Sequence, residues 1–154
     1  MMKKNIVSAV VLLVMIPFLS GCGFKSMEKL IRKTMTVDDV VVEKEQLDKV
    51  DNPAKKYMIT NDLGQRLIEL DSVVVKDIVP STDIDYEFCV IAQVQHEKGL
   101  IVFYIYSRDL GTIAKIEKGK TKIWALGDFR RFFPLLDNSY VKIDVTDADI
   151  SIVE

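Results

Sequence analysis

Few of the residues that usually announce chemistry are present. The chain has one histidine, one tryptophan and two cysteines, and its seven glycines stand apart from one another. His96, between Gln95 and Glu97, has no converging partner in sequence and reads as a polar turn residue, not a base or a ligand. Two widely separated cysteines make no paired-cysteine motif, so zinc has no support. Gly99, Gly111, Gly119 and Gly127 are spread as turn residues are and form no phosphate-cradling run. Asp137, Asp144, Asp147 and Asp149 lack the calcium-loop order and read as the solvated face of a strand. Ser107 and Ser139 have no histidine nearby to activate them. No acid, base and nucleophile set can be assembled, so the expectation is a protein that is not an enzyme and holds no metal or cofactor.

An excess of one charge is also missing. Lys and Arg number 21 against 23 Asp and Glu, which makes nucleic acid a poor first partner. With 49% hydrophobic and 29% charged residues in a chain of 154, the composition is that of one globular domain. No apolar run reaches the roughly 20 residues a spanning helix needs. The longest, residues 6–19, has 14 residues, follows Lys3 and Lys4, and leads into Ser20, Gly21 and Cys22. A basic start, a short apolar core and a small-residue site form an export signal, not part of the fold.

The tetrad Leu19-Ser20-Gly21-Cys22 resembles the lipobox of bacterial lipoproteins. That resemblance implies acylation of the Cys22 thiol and cleavage between Gly21 and Cys22, leaving a mature chain held to a membrane in the cell envelope. Each buried methylene is worth about 0.8 kcal/mol, so two or three acyl chains anchor stably where one does not. Cleavage removes two lysines and no acid, which leaves 19 basic side chains against 23 acidic ones, a net of about −4. Once Cys22 is acylated, Cys89 has no partner; in its apolar surroundings it is expected to pack as a small buried hydrophobe.

Residues 22–50 are charged and weakly patterned, with Val40, Val41 and Val42 as their one apolar cluster; they are expected to serve as lipid attachment and tether. Met27, Leu30 and Ile31 fit a short helical turn there. The folded domain is expected over residues 51–154. Asn52 followed by Pro53 is a helix start, and Leu63, Leu67, Ile68 and Leu70 fall near helical spacing, predicting one or two helical pieces over residues 53–70. Strands are expected over residues 72–79, 86–95 and 100–107, the last two joined by a hairpin at residues 96–99 with Gly99 at a positive φ. Asp109 caps a short helix within residues 108–116. A fourth strand is expected over residues 121–126, closing at Gly127-Asp128. A fifth begins near Tyr140, where Val141, Ile143 and Val145 alternate with polar residues, and continues past a bend at Asp147 to Ile150 and Ile152.

Three strands, a short helix and two strands, after a helical segment, is the element order of a five-stranded OB-like barrel. From about residue 61 to 154 the chain resembles the small bacterial OB-fold proteins of the tRNA-anticodon-like type. The carrying residues are Leu67-Ile68-Glu69-Leu70 before Ser72-Val73-Val74-Val75, then Glu117-Lys118-Gly119-Lys120 and Gly127-Asp128-Phe129. The fold expected is mainly β, and its competitor is an open α+β sheet with the helix across one face. The resemblance carries over no catalytic site.

Two residue groups remain as binding candidates. Tyr86, Phe88, Tyr104 and Tyr106 fall on the second and third barrel strands, the face by which OB folds bind oligosaccharides and oligonucleotides, although core packing explains them as well. Lys118, Lys120, Lys122, Arg130 and Arg131, with Lys115, surround the fourth strand as a possible basic patch, which a solvated strand edge also accounts for. The function expected is a membrane-anchored, extracytoplasmic binding module for an envelope protein, with a glycan-binding module as the alternative.

Overall fold

The computed structural model describes residue 29, residues 31–133 and residues 139–153. The export signal, Gly21, Cys22 and Asp137 lie outside the described residues. In chain order the elements are β1 (Thr34–Met35), α1 (Val37–Asp48), α2 (Pro53–Leu63), β2 (Leu67–Pro80), β3 (Phe88–His96), β4 (Gly99–Tyr106), α3 (Leu110–Ile113), β5 (Lys122–Phe132) and β6 (Val141–Val153). The strands pair in the order β1-β2-β3-β4-β6-β5, and β5 returns to pair with β2. Five strands, β2 to β6, therefore close a barrel, with β1 as a short parallel appendage on β2. All pairings in the barrel are antiparallel except β4 with β6. This is an OB-like barrel, and the antiparallel ladder from Leu67↔Asp128 to Val74↔Lys122 excludes the open sheet.

Closure depends on bends in two long strands. β2 borders β5 through its first half and β3 through its second, and the changeover follows a register shift between Leu70 and Val73. Ser72 there has φ 53°. A bulge of this kind bends a strand and increases its twist, as a barrel corner requires. β6 bends at Asp147, φ 46°, as the alternation of its sequence implies. Opposite that bend Gly127 runs so close to β6 that an added Cβ would stand 2.7 Å from Val145 Cγ1 and 2.9 Å from both Ala148 Cβ and Thr146 O. Gly127 is therefore a mid-strand close approach and not a strand terminus, and β5 continues to Phe132.

Alternation sends Ile101, Phe103 and Ile105 of β4, Val90 and Ala92 of β3, and Val141, Ile143 and Val145 of β6 into one core. The barrel's two ends are stoppered. At one end α1 adds Val40 and Val41, with Met35 of β1; at the other, Ile113 and Ile116 enter from α3 and the turn after it. Asp109 caps α3, its Oδ1 accepting from Thr112 N at 3.0 Å. The β3–β4 hairpin meets α1 through His96 Nε2 and Asp38 Oδ1, 3.2 Å apart, and through Lys98 and Glu45, also 3.2 Å apart.

Three further expectations are corrected. Residues 34–48 are not tether: the compact unit begins at Ile31, and α1 is part of the core. The missed signal is a capping box, Thr36 Oγ1 accepting from Asp39 N at 3.3 Å and Asp39 Oδ2 from Thr36 N at 2.9 Å, just ahead of Val40 and Val41. Second, the helical segment stops at Leu63, and Leu67, Ile68 and Leu70 open a strand. Leu67 and Ile68 are both inaccessible, and burial on both sides erases the period of two that would mark a strand. Third, His96 ends a strand and does not hang in a loop. Its Nδ1 accepts from Lys98 N at 3.1 Å, leaving Nε2 as the donor to Asp38.

Gly127→Ala is expected to destabilise the barrel by about 1–3 kcal/mol, the usual cost of overpacking. Gly64→Ala, where φ is negative and only two carbonyl oxygens at 3.4 and 3.7 Å face the new methyl, is expected to stabilise by about 0.4–1 kcal/mol. Urea denaturation of both variants checks the opposite signs; equal effects would contradict the packing described.

Candidate ligand face

The outward row of β4 is Val102, Tyr104 and Tyr106, because the inward positions are taken by Ile101, Phe103 and Ile105. β3 sets Ile91 and Cys89 across from Tyr104 and Tyr106. Along β6, Lys142 and Asp144 are the register partners of Val102 and Tyr104. Ile91, Val102 and Tyr104 floor a shallow groove of about 490 Å³, open to solvent, with Gln93, Lys76 and Lys142 among the residues at its sides.

The four aromatic residues singled out in the sequence do not form one exposed platform. Tyr86 and Tyr106 are 9% and 8% exposed and pack on each other, ring centroids 5.5 Å apart, in a small cluster with Cys89. Tyr86 Oη accepts from Asp147 N at 3.0 Å, and the Arg108 guanidinium lies 5.2 Å over the Tyr86 ring. Phe88 has the parity of Val90 and Ala92 and is 38% exposed at the start of β3, so it does not share the tyrosine face. Tyr104 alone of the four lines the groove, leaning on Phe133 with centroids 5.3 Å apart.

The cations near β5 do not converge either. Lys118 pairs with Asp77, and Lys120 with Glu117 at 3.0 Å, at the end where β5 begins. Lys122 is exposed in the first position of β5. Arg130 pairs with Asp83, and Arg131 Nε donates to Asp144 Oδ2 at 2.8 Å, near the opposite end. At about 3.3 Å per residue, Lys122 and Arg130 stand roughly 25 Å apart along the strand. The positive residues are distributed among acids instead of forming one patch.

Asp144 is the residue the alternation misplaces. On a half-buried strand it belongs to the outward set, yet it is 1% exposed, roofed by Arg131, whose guanidinium also lies 4.8 Å over the Phe133 ring. Asp144 Oδ1 has no hydrogen-bond partner among the described residues. Burial raises its carboxyl above the ordinary aspartate range; Arg131 and Arg130 oppose the shift and Asp83 adds to it. Burial also pushes the Cys89 thiol up to about 12, so it remains an unreactive thiol at neutral pH, as its apolar surroundings in sequence imply. Tyr106 is raised by the same cause. Ser107 Oγ accepts from Asp109 N at 3.2 Å at the end of β4 away from His96, so these two do not meet. Among the described residues, no group of three or more His, Cys, Asp or Glu is placed to hold a metal ion. The face offers an apolar floor with a polar margin, an arrangement suited to binding.

The raised Asp144 value fixes a pH signature. The folded state holds this proton to higher pH than the unfolded chain, whose aspartates titrate near ~3.9. The stability it contributes is therefore full below that value and is lost as pH rises through the folded value. Asp144→Asn keeps the shape and an acceptor for Arg131 while removing the ionisation. The variant is expected to be more stable than the parent at pH 7 by urea denaturation, with the gap closing toward pH 4. A variant less stable at pH 7, or a gap independent of pH, would contradict the assignment. No protein-family model matches the chain, and a search of curated proteins finds no match either.

Proposed function

We propose that the protein is a bacterial lipoprotein, held to a membrane through acylated Cys22, whose barrel binds an envelope protein through the outward face of β3 and β4. The anchor rests on the sequence of residues 1–22: two lysines, a short apolar run, and Leu19-Ser20-Gly21-Cys22. No helix among the described residues is long and apolar enough to cross a membrane. The barrel is related, on this reading, to the OB-fold proteins of the tRNA-anticodon-like type, and it acts by binding without catalysing a reaction.

The observation that carries a protein partner is the groove's floor and margin. Ile91, Val102 and Tyr104 give apolar contact, and Gln93, Lys76 and Lys142 give polar contact around it, the division seen between the centre and edge of protein interfaces. Small-molecule sites bury most of their ligand in a concave pocket, and this groove is shallow. A glycan reading keeps less support, because stacking on sugar rings needs open aromatic faces and Tyr86 and Tyr106 are engaged with each other.

A photo-crosslinking amino acid at Gln93, in cells, is expected to give one discrete adduct with an envelope protein, lost on Tyr104→Ala in a chain whose Trp124 emission reports an intact fold. No adduct would contradict the reading. Retention of cell-wall oligosaccharides by the parent and not by Tyr104→Ala would transfer the site to glycans. Tyr106→Ala, by contrast, is expected to cost about 3–5 kcal/mol of stability as a buried aromatic truncation, measured by denaturation.

A further inference from the structure

α2 is a helix with little of itself buried. Of its residues only Leu63 is inaccessible, while Tyr57 and Met58 are 73% and 71% exposed beside Lys55 and Lys56. Single exposed apolar side chains are ordinary on a protein surface; here two are consecutive on one helix and directly follow two lysines. An aromatic ring, a flexible apolar chain and lysines on one exposed helix suit the boundary between lipid headgroups and acyl chains.

We infer that α2 is the face the domain lays on the bilayer, with Tyr57 and Met58 at headgroup level and Lys55 and Lys56 toward anionic lipid. This rests on the lipid anchor proposed above, because the argument starts from where the chain is tied. Eight residues separate Cys22 from Ile31, the first of the compact unit. At no more than about 3.5 Å per residue they hold Ile31 within roughly 30 Å of the anchored Cys22. A domain of residues 31–154 has a diameter of about 35 Å. If the end opposite Ile31 faced the bilayer, the tether would fall short.

Ile31 is 87% exposed, and the residues after it lead to the foot of α2: Arg32 Nε donates to Gln65 O at 2.8 Å, and Leu67 N donates to Lys33 O at 3.0 Å. The end of the barrel that the tether keeps near the membrane is thus the end that bears α2. Charge agrees, since residues 23–33 contain four basic residues and one acidic residue on a chain whose net charge is negative. α2 also packs against β5, which borders β2 and β6, so β3 and β4 lie across the barrel from it. A domain lying on α2 leaves the groove open to a partner.

The test uses the full acylated protein in vesicles of three parts phosphatidylcholine to one part phosphatidylglycerol. Met58→Cys is labelled with an environment-sensitive fluorophore, and Lys120→Cys, exposed in the turn before β5, is the reference: the β2–β5 ladder runs from Leu67↔Asp128 beside the foot of α2 to Val74↔Lys122, so Lys120 lies at its far end. Cys89 is buried and does not compete for label. The expected result is a blue-shifted Met58→Cys probe, quenched several-fold more than the Lys120→Cys probe by lipids spin-labelled near the headgroup. Lys55→Glu with Lys56→Glu reduces that difference. Intact mass showing acylation, with the two probes equally quenched, would overturn the orientation and leave the anchor standing. Intact mass showing a free Cys22 thiol would overturn both.

Discussion

β2 is paired along both edges, and the barrel exists because it is. Its first half is bonded to β5 and its second half to β3, with Val74 facing Lys122 on one side and Gln93 on the other. The bend at Ser72 makes this possible. Without it a single strand could not leave one neighbour for the next, β5 would be an edge, and the inward rows of β4, β5 and β6 would face solvent through the gap. Closure also fixes what lies outside: once Phe103 and Ile105 point in, Tyr104 and Tyr106 must point out.

On the outward face the same strands carry an open groove and a second small core. Toward the loop at residues 81–87, Tyr86, Cys89 and Tyr106 pack together, and Arg130 ties that loop to β5 through Asp83. Toward the hairpin the covering thins and Ile91, Val102 and Tyr104 become the floor of a groove. Asp144 lies near the boundary. Arg131 pairs with one of its oxygens, the other has no hydrogen-bond partner among the described residues, and the guanidinium lies over Phe133.

Much of this was legible in the sequence where one physical rule acted alone. The alternation of residues 141–145, the Asp109 cap, the Gly99 hairpin and the bend at Asp147 each follow from local chemistry and each stands where the residues place it. Reading failed where two rules overlapped. Leu67 and Ile68 are buried on both sides of a strand and so imitate a helical stripe, while α1 has too narrow an apolar stripe to stand out from a charged segment. The site was legible only in part. Tyr104 was found from its strand parity, but which tyrosines stay open depends on the Arg108–Tyr86 and Tyr104–Phe133 contacts, and these join residues far apart in the chain. Nothing local distinguishes Asp144 from an ordinary outward aspartate, because its roof comes from β5.

The closed barrel is tested most directly by nuclear Overhauser effects between β2 and β5 in the isotopically labelled protein. The account predicts cross-strand contacts from the Glu69↔Leu126 and Leu70↔Ala125 pairs and slow amide exchange along both strands, together with parallel contacts between Phe103 of β4 and Ile143 of β6. Rapid exchange of the β5 amides that face β2, with no contact between those strands, would show an open sheet and contradict it.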